Sequence, residues 1–159
     1  MESSIDTVDQ QILYHLQQDS RTPITTIADK LNVSDNTVRN RIDKLETLGV
    51  IEGYSILINY DFAEIPHYYL FICTARVSDR DALATRAQDI PGVLEVMTVM
   101  TGTGNIHIRA AATTKENITR IAHQLDEIGL TVEHEHLIWS CMNQPFTLFE
   151  TESDCPARQ

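Results

Sequence analysis

Apolar residues in the first fifty positions recur at helical spacing in three successive segments. Residues three and four apart lie on one face of an α-helix, so each segment predicts a helix with a single buried face. The apolar positions are Val8, Ile12 and Leu16 in the first segment, Ile24, Ile27, Ala28 and Leu31 in the second, and Val38, Ile42 and Leu45 in the third.

Residues typical of helix ends lie between these segments and predict where the helices begin and end. Asp6 is a candidate N-cap of the first helix, with Asp9 in its first turn. Pro23 stands at the favoured first position of the second helix. Ser34 can cap the third helix and Gly49 can end it.

Two short helices, a tight turn and a longer third helix are the parts of a helix-turn-helix, and the β-rich run 50–60 predicts a wing and a connector. The outer face of the third helix is polar. Amides bond adenine edges, whereas arginine forks onto guanine or holds phosphate. Any solvated helix carries such side chains, but the whole arrangement predicts DNA binding. The candidate DNA-binding residues are Ser34, Asp35, Asn36, Thr37, Arg39, Asn40, Arg41 and Lys44.

From His67 onward the pattern changes to the order β-α-β-β-α-β. The predicted strands are 67–77, 93–101, 105–112 and 130–141, and the two helices begin at caps Ser78 and Thr114. Right-handed crossovers turn this order into a four-stranded antiparallel sheet with both helices on one face. The predicted fold class is α+β: a winged helix-turn-helix followed by a ferredoxin-like domain.

The uncovered face of that sheet is expected to meet another subunit. Both faces of HYYLFICTARV, the segment 67–77, carry large apolar residues. An exposed apolar surface of this kind marks an interaction site. The sequence therefore predicts at least a homodimer, assembled through the sheet domain.

Composition narrows the class of protein. The chain has 159 residues, and no run approaches the roughly 18 apolar residues of a membrane span. The beginning of the chain has no signal pattern, so we expect a soluble, cytoplasmic protein without membrane contact. The cysteines Cys73, Cys141 and Cys155 are odd in number and lack a CxxC spacing, which argues against a disulfide framework or a zinc ribbon.

The net charge of −11 comes from 23 acidic against 12 basic residues, and only three of the basic residues are lysines. An acidic surface keeps a protein hydrated and dispersed. An ordinary acidic protein is one interpretation, and a cytoplasm at very high salt is the other. We favour a halophilic origin.

Three segments resemble the Lrp/AsnC family of feast/famine transcriptional regulators. They are IDTVDQQILYHLQQDSR, ITTIADKLNVSDNTVRNRIDKLETLGVIEGY and PGVLEVMTVMTGTGNIHI, in the family's order and spacing. The resemblance implies a winged helix-turn-helix and a RAM/ACT-like sensing domain. It also implies dimers that assemble to octamers, and an amino acid or related metabolite that tunes DNA binding or assembly.

Carried onto this chain, the resemblance makes 34–45 the recognition helix and the turn after residue 100 the effector site. Where the family usually has aspartate after the turn glycine, this chain has Asn105, and Glu133 and Glu135 stand where the last strand often has threonines. These departures change the local charge and leave the effector's identity open. The candidate effector-binding residues are Thr101, Gly102, Thr103, Gly104, Asn105, Glu133 and Glu135.

Two other functions are compatible with this architecture. A sirohaem decarboxylase would gather His107, Arg109, His134 and His136 around a haem-sized cavity. A sensing or assembly protein would lack DNA binding. The histidines also suggest a metal site, but polar residues at an interface explain them better. We therefore predict no cofactor, no metal and no enzyme activity.

The predicted boundaries are a winged helix-turn-helix at 1–52, a β-strand connector at 53–65, a sensing and oligomerisation domain at 66–145 and a polar tail at 146–159.

Overall fold

The structure is a computed structural model that describes residues 5–100 and 102–149. The described chain forms two compact units. The helical unit comprises the residues up to Leu57 together with those from Met142 onward, and the sheet unit comprises Ile58–Cys141.

The helical unit contains the three helices that the apolar spacing predicts. They are α1 (Thr7–Gln18), α2 (Ile24–Leu31) and α3 (Asp35–Thr47). Asp6 and Asp9 form a capping box at the start of α1, in which each carboxylate accepts a hydrogen bond from the other residue's backbone N–H. Pro23 is the N-cap of α2 rather than its first helical residue. Gly49 follows α3 with a φ of +69°, as a helix-ending glycine does.

Apolar side chains from all three helices meet in one core. Ile12 of α1, Ile27 of α2, and Val38 and Leu45 of α3 have no exposed surface. Residues 38 and 45 are two helical turns apart, so they lie on the same face of α3. This core fixes which side of α3 turns inward.

The described end of the chain packs against the same core. Residues Thr147–Phe149 form a short 3₁₀ turn, and Phe149 contacts the apolar cluster of the helical unit. The backbone N–H of Phe146 donates to Oε1 of Gln17 in α1 at 3.1 Å. Within the predicted polar tail, Phe149 therefore covers part of this core, whereas Phe146 remains half exposed and contacts the Phe149 ring.

The predicted wing and the predicted connecting strand do not form. No residue between 50 and 66 belongs to a strand. A strand needs a neighbour for its backbone groups, and none of the described residues pairs with this segment. Tyr54 instead donates to Glu46 of α3 at 2.8 Å, and Ile56 and Leu57 remain exposed.

The sheet unit confirms the predicted β-α-β-β-α-β order. Its elements are β1 (His67–Thr74), α4 (Arg80–Gln88), β2 (Val93–Thr98), β3 (Ile106–Ala112), α5 (Lys115–Glu127) and β4 (Thr131–Leu137). The strand order is β2-β3-β1-β4, and every neighbouring pair is antiparallel. This is the ferredoxin-like arrangement that right-handed crossovers predict.

Several strand ends and one helix cap differ from the predictions. β1, β2 and β4 are shorter than expected, because their pairing ends at Thr74, Thr98 and Leu137. Thr114 caps α5 as predicted. Ser78 does not cap α4, because Asp79 holds the N-cap position and the Ser78 hydroxyl donates to the Asp79 carboxylate at 2.9 Å.

One face of the sheet carries the core. Phe71 of β1 and Ile108 of β3 are register partners, and both are completely buried together with Ile121 of α5. Gly92 has a φ of +100°, and a Cβ there would lie 2.7 Å from Cδ1 of Ile121. Only glycine lets the chain pass this close to α5 at this point.

Candidate nucleic-acid interface

Three local features position α3 for contact with a partner. Asn32 adopts the left-handed conformation, with φ 52° and ψ 46°, which lets the chain turn sharply after α2. The Ser34 side chain accepts a hydrogen bond from the backbone N–H of Thr37 at 3.1 Å and so caps α3. The buried Val38 and Leu45 then direct the opposite side of the helix outward.

The outward side of α3 carries two amides. Asn36 and Asn40 each lie two positions from Val38, which is about 200° around the helix in either direction. Both are exposed, as is Arg39 beside them. Among the described residues, none of these three side chains has a hydrogen bond or ion pair. The helix therefore presents two amides and a guanidinium that are available to a partner.

Three other predicted DNA-binding residues lie at the cap or in the first turn of α3: Ser34, Asp35 and Thr37. The Thr37 hydroxyl shares a hydrogen bond of 2.8 Å with the Ser34 hydroxyl and is half-buried. Asp35 is exposed in the first turn of α3, where the helix dipole favours a carboxylate. The three residues shape the beginning of the helix.

Arg41 forms ion pairs with two acids at the start of α1. Its Nη1 lies 2.7 and 2.6 Å from the two carboxylate oxygens of Asp6, and 2.8 Å from Oδ1 of Asp9. Lys44 Nζ lies 3.4 Å from Oδ2 of Asp9. The Asp9 side chain is fully buried, whereas that of Asp6 is half exposed. Two of the three bases of α3 thus meet the acids at the start of α1.

The pKa values of this cluster reflect the contacts. The hydrogen bond from Arg41 holds the pKa of Asp6 below its usual value. Burial alone would raise the pKa of Asp9, but hydrogen bonds from Arg41 and from the Asp6 N–H outweigh burial, so its pKa is also lowered. The same hydrogen bonds raise the pKa of Arg41. All three groups are charged at neutral pH.

The turn of the predicted effector site is built around Asn105. The Asn105 side chain is buried, and its amide both accepts from the Ala75 N–H and donates to the Ala75 carbonyl, each at 2.9 Å. An aspartate could not make the second bond, because a carboxylate has no N–H. Asn105 thus pins the turn to the end of β1, and its amide is not available to an effector.

The remaining residues of that predicted site do not come together. Gly104 donates its N–H to the Thr74 hydroxyl at 2.6 Å. Glu133 and Glu135 are exposed on β4, which pairs with the far side of β1. Since β1 lies between β3 and β4, it separates the two glutamates from the turn. Gly102 and Thr103 are exposed in the turn, and Thr101 lies outside the described residues.

Some known proteins match the helical unit, and others match most of the length of the chain. Residues 5–46 match the model of the AsnC-type helix-turn-helix domain. The chain is 53% identical over 55 residues to the HTH-type transcriptional regulator LrpA of Pyrococcus horikoshii. The aligned residues make up 35% of this chain and 39% of LrpA. It is 32% identical over 126 residues to the HTH-type transcriptional regulator LysM of Saccharolobus solfataricus, covering 79% of this chain and 84% of LysM.

This chain belongs to the Lrp/AsnC family of transcriptional regulators. The crystal structure of a transcriptional regulator from Neisseria meningitidis in complex with L-Met has the same fold, with a TM-score of 0.74 at 16% identity, covering 90% of this chain and 95% of that one. The first curated relatives are matched over only 38–39% of their length, within the helix-turn-helix region. LrpA and LysM are both HTH-type transcriptional regulators.

In this Lrp/AsnC protein the candidate histidines lie on two strands: His134 and His136 are neighbours on β4, with ring centroids 5.8 Å apart, and His107 is on β3. His107 and His134 both pair with Ile72, from opposite sides. Two strand spacings, about 10 Å, therefore separate their backbones. The described residues contain no group of three His, Cys, Asp or Glu that could hold a metal ion. Within residues 5–100 and 102–149, no helix is long and apolar enough to cross a membrane.

The partner of Arg41 does not follow from the sequence pattern. The pattern predicts Asp9 in the first turn of α1 and Arg41 on DNA. A signal was present, because Asp9 is three and four positions from the apolar Ile12 and Leu13 and so lies on the buried stripe. A carboxylate on a buried stripe requires a cation. The sequence did not show which base would supply it.

Proposed function

We propose that this protein is a sequence-specific DNA-binding regulator of transcription, with α3 as its recognition helix in the major groove. The observation that carries the proposal is the outward face of α3. There Asn36, Arg39 and Asn40 are exposed on a helix that is capped and anchored by its opposite side. Family membership supports the same role.

The chemistry of this face fits base recognition. An asparagine amide bonds the N6 and N7 atoms of adenine in pairs, and Arg39 can fork onto guanine or hold a phosphate. Asp43 continues the same face and is exposed. A carboxylate repels phosphate but accepts from the amino group of cytosine. The predicted site therefore contains adenine and cytosine edges.

The negative charge of the protein shapes how it binds. Residues 1–60 hold nine acids against five bases. Each phosphate contact releases counterions and steepens the salt dependence of binding by about 0.9 per contact. At 1 M salt, repulsion is screened beyond about 3 Å. We infer that this protein works at high salt through short-range contacts, with a shallower salt dependence than a basic relative.

Assembly and ligand response extend the proposal. A dimer would place two copies of α3 in successive major grooves, so its site is (pseudo)palindromic with half-sites about one helical turn, or a multiple, apart. Higher assembly to an octamer and tuning by an amino acid follow the family resemblance. The L-Met complex of the Neisseria meningitidis regulator supports an amino acid as the first class of effector to test.

Selection from a random duplex library at several salt concentrations tests DNA binding directly. We expect enrichment of one palindromic sequence, and titration of that duplex then gives the affinity. Asn40→Ala should reduce affinity about 10- to 100-fold and relax preference at one base position. Library selection that enriches no sequence at any salt concentration would refute sequence-specific binding.

A comparison of two arginine variants provides the control for non-specific attraction to DNA. Arg39→Ala should weaken binding to all sequences and reduce the salt slope by about 0.9 if Arg39 holds a phosphate. Arg120→Ala removes another exposed arginine, from α5 of the sheet unit, and should change neither quantity. Equal losses from both variants would indicate non-specific attraction, not recognition by α3.

A further inference from the structure

Arg41 lies at the border between the buried and the outward sides of α3. It is three positions after Val38 and four before Leu45, which are both buried, and its own side chain is 27% exposed. Its guanidinium points to the start of α1, where it meets Asp6 and Asp9. Asn40 is its immediate neighbour in the chain.

Of the two acids that Arg41 meets, Asp9 has no contact with solvent. The Asp9 side chain is 0% exposed and accepts from Arg41 at 2.8 Å, from the Asp6 backbone N–H at 3.1 Å and from Lys44 Nζ at the longer distance of 3.4 Å. A buried carboxylate without a cation is strongly unfavourable. Rotation of α3 away from this position would therefore carry Arg41, the nearer of the two cations, away from Asp9.

Apolar packing alone fixes that angle less well. The contacts among Ile12, Val38 and Leu45 are hydrophobic, and burial of apolar area has no directional preference. Charge-assisted hydrogen bonds require defined distances and directions. A rotation of α3 that keeps Val38 and Leu45 covered would still separate Arg41 from Asp9. It would also displace Asn36 and Asn40 around the helix axis.

We propose that Asp9 and Arg41 are positioning residues for DNA recognition: the ion pair of Arg41 with the buried Asp9 sets the rotation of α3, and Arg41 does not contact DNA. This inference rests on the proposed function. It replaces the DNA contact that the polar face of the third helix predicts for Arg41. It also assigns a role in DNA binding to Asp9, the buried acid of α1.

A double-mutant cycle on DNA affinity tests the proposal, with the full-length protein and its selected duplex. Arg41→Met should reduce affinity at least about tenfold in the wild-type background but less than about threefold in the Asp9→Asn background, because groups that act through one another are not additive. The salt slope should stay the same in all four proteins. An equal loss in both backgrounds, or a slope lowered by Arg41→Met, would show that Arg41 touches DNA.

Asp9→Asn alone supplies a second measurement, in case Arg41→Met does not fold. Asp9 is buried, so its effect on DNA must pass through its partners. We expect reduced affinity with a native circular dichroism spectrum, whereas Asp29→Asn, an exposed acid of α2, should bind as wild type. Wild-type affinity for Asp9→Asn would overturn the proposal.

Residual dipolar couplings of the free protein separate this inference from the proposed function. They measure the angle of α3 to α1 without DNA. A changed α3 orientation in Asp9→Asn, but not in Asp29→Asn, supports the positioning role even if wild-type protein selects no DNA sequence. An unchanged orientation contradicts the positioning role, whatever the protein binds.

Discussion

The two units of this protein are stabilised in different ways. Among the described residues, the sheet unit buries twelve side chains in its core and the helical unit six. In the sheet unit, the buried polar residue is a neutral amide, Asn105. In the helical unit, a buried carboxylate, Asp9, is paired with the bases of α3. The unit proposed to bind DNA therefore depends more on buried charge than the sheet unit does.

This difference indicates a division of labour. Apolar cores are close-packed and carry no charge that pH can change, so the stability of the sheet unit rests mainly on packing. Ion pairs respond to pH and to neighbouring charges. The contacts of α3 with Asp6 and Asp9 are therefore expected to respond to pH more than the core of the sheet unit does. Four predictions test this contrast, beginning with the largest effect.

Ile121→Asp should abolish the fold of the sheet unit. Ile121 is fully buried against Phe71 and Ile108, and burying an unpaired charge costs more than about 4 kcal/mol. Amide hydrogen exchange resolved by segment should show loss of protection in 67–137. Protection of α1 and α3 should survive better, and simultaneous loss in both units would mean that they fold as one.

Asn105→Ala should destabilise the sheet unit by about 2–3 kcal/mol, because it leaves the N–H and carbonyl of Ala75 buried without partners. Thermal unfolding monitored by circular dichroism measures the change. Asn143→Ala, at an exposed asparagine, is the control. A loss no larger than in that control would show that water replaces the amide.

Phe149→Ala should destabilise the helical unit by about 1 kcal/mol, because this half-buried ring covers part of its core. Hydrogen exchange should increase in α1, where Gln17 also holds the Phe146 N–H, and stay unchanged in β1 and β3. Increased exchange in the strands instead would show that the described tail stabilises the sheet unit.

Acid should weaken the helical unit first. The pKa values of Asp6 and Asp9 are below 3.8 in the folded protein, so their stabilisation is complete above that pH and is lost as pH falls through the folded values. Between pH 7 and 5 the Val38 and Leu45 amide signals in NMR spectra should stay constant, and below about pH 4 they should broaden or shift before those of Ile108. In Asp9→Asn the transition should be smaller.

The sequence by itself determined the secondary structure that has a clear period or cap. The helical spacing of Val8, Ile12 and Leu16 and the caps at Asp6, Ser34 and Thr114 depend on neighbours within one turn, so local chemistry suffices. The order of strands and helices then left one right-handed arrangement. The polar face of α3 also followed from spacing alone.

The tertiary structure decided which polar residues meet across the chain. Arg41 and Asp9 are 32 positions apart, and Asn105 and Ala75 are 30 apart. Nothing in local spacing pairs them. The structure also separated the turn at Gly104 from Glu133 and left 50–66 without a strand partner. Such contacts depend on three-dimensional packing, because a buried charge or backbone group takes whichever partner the completed fold brings within reach.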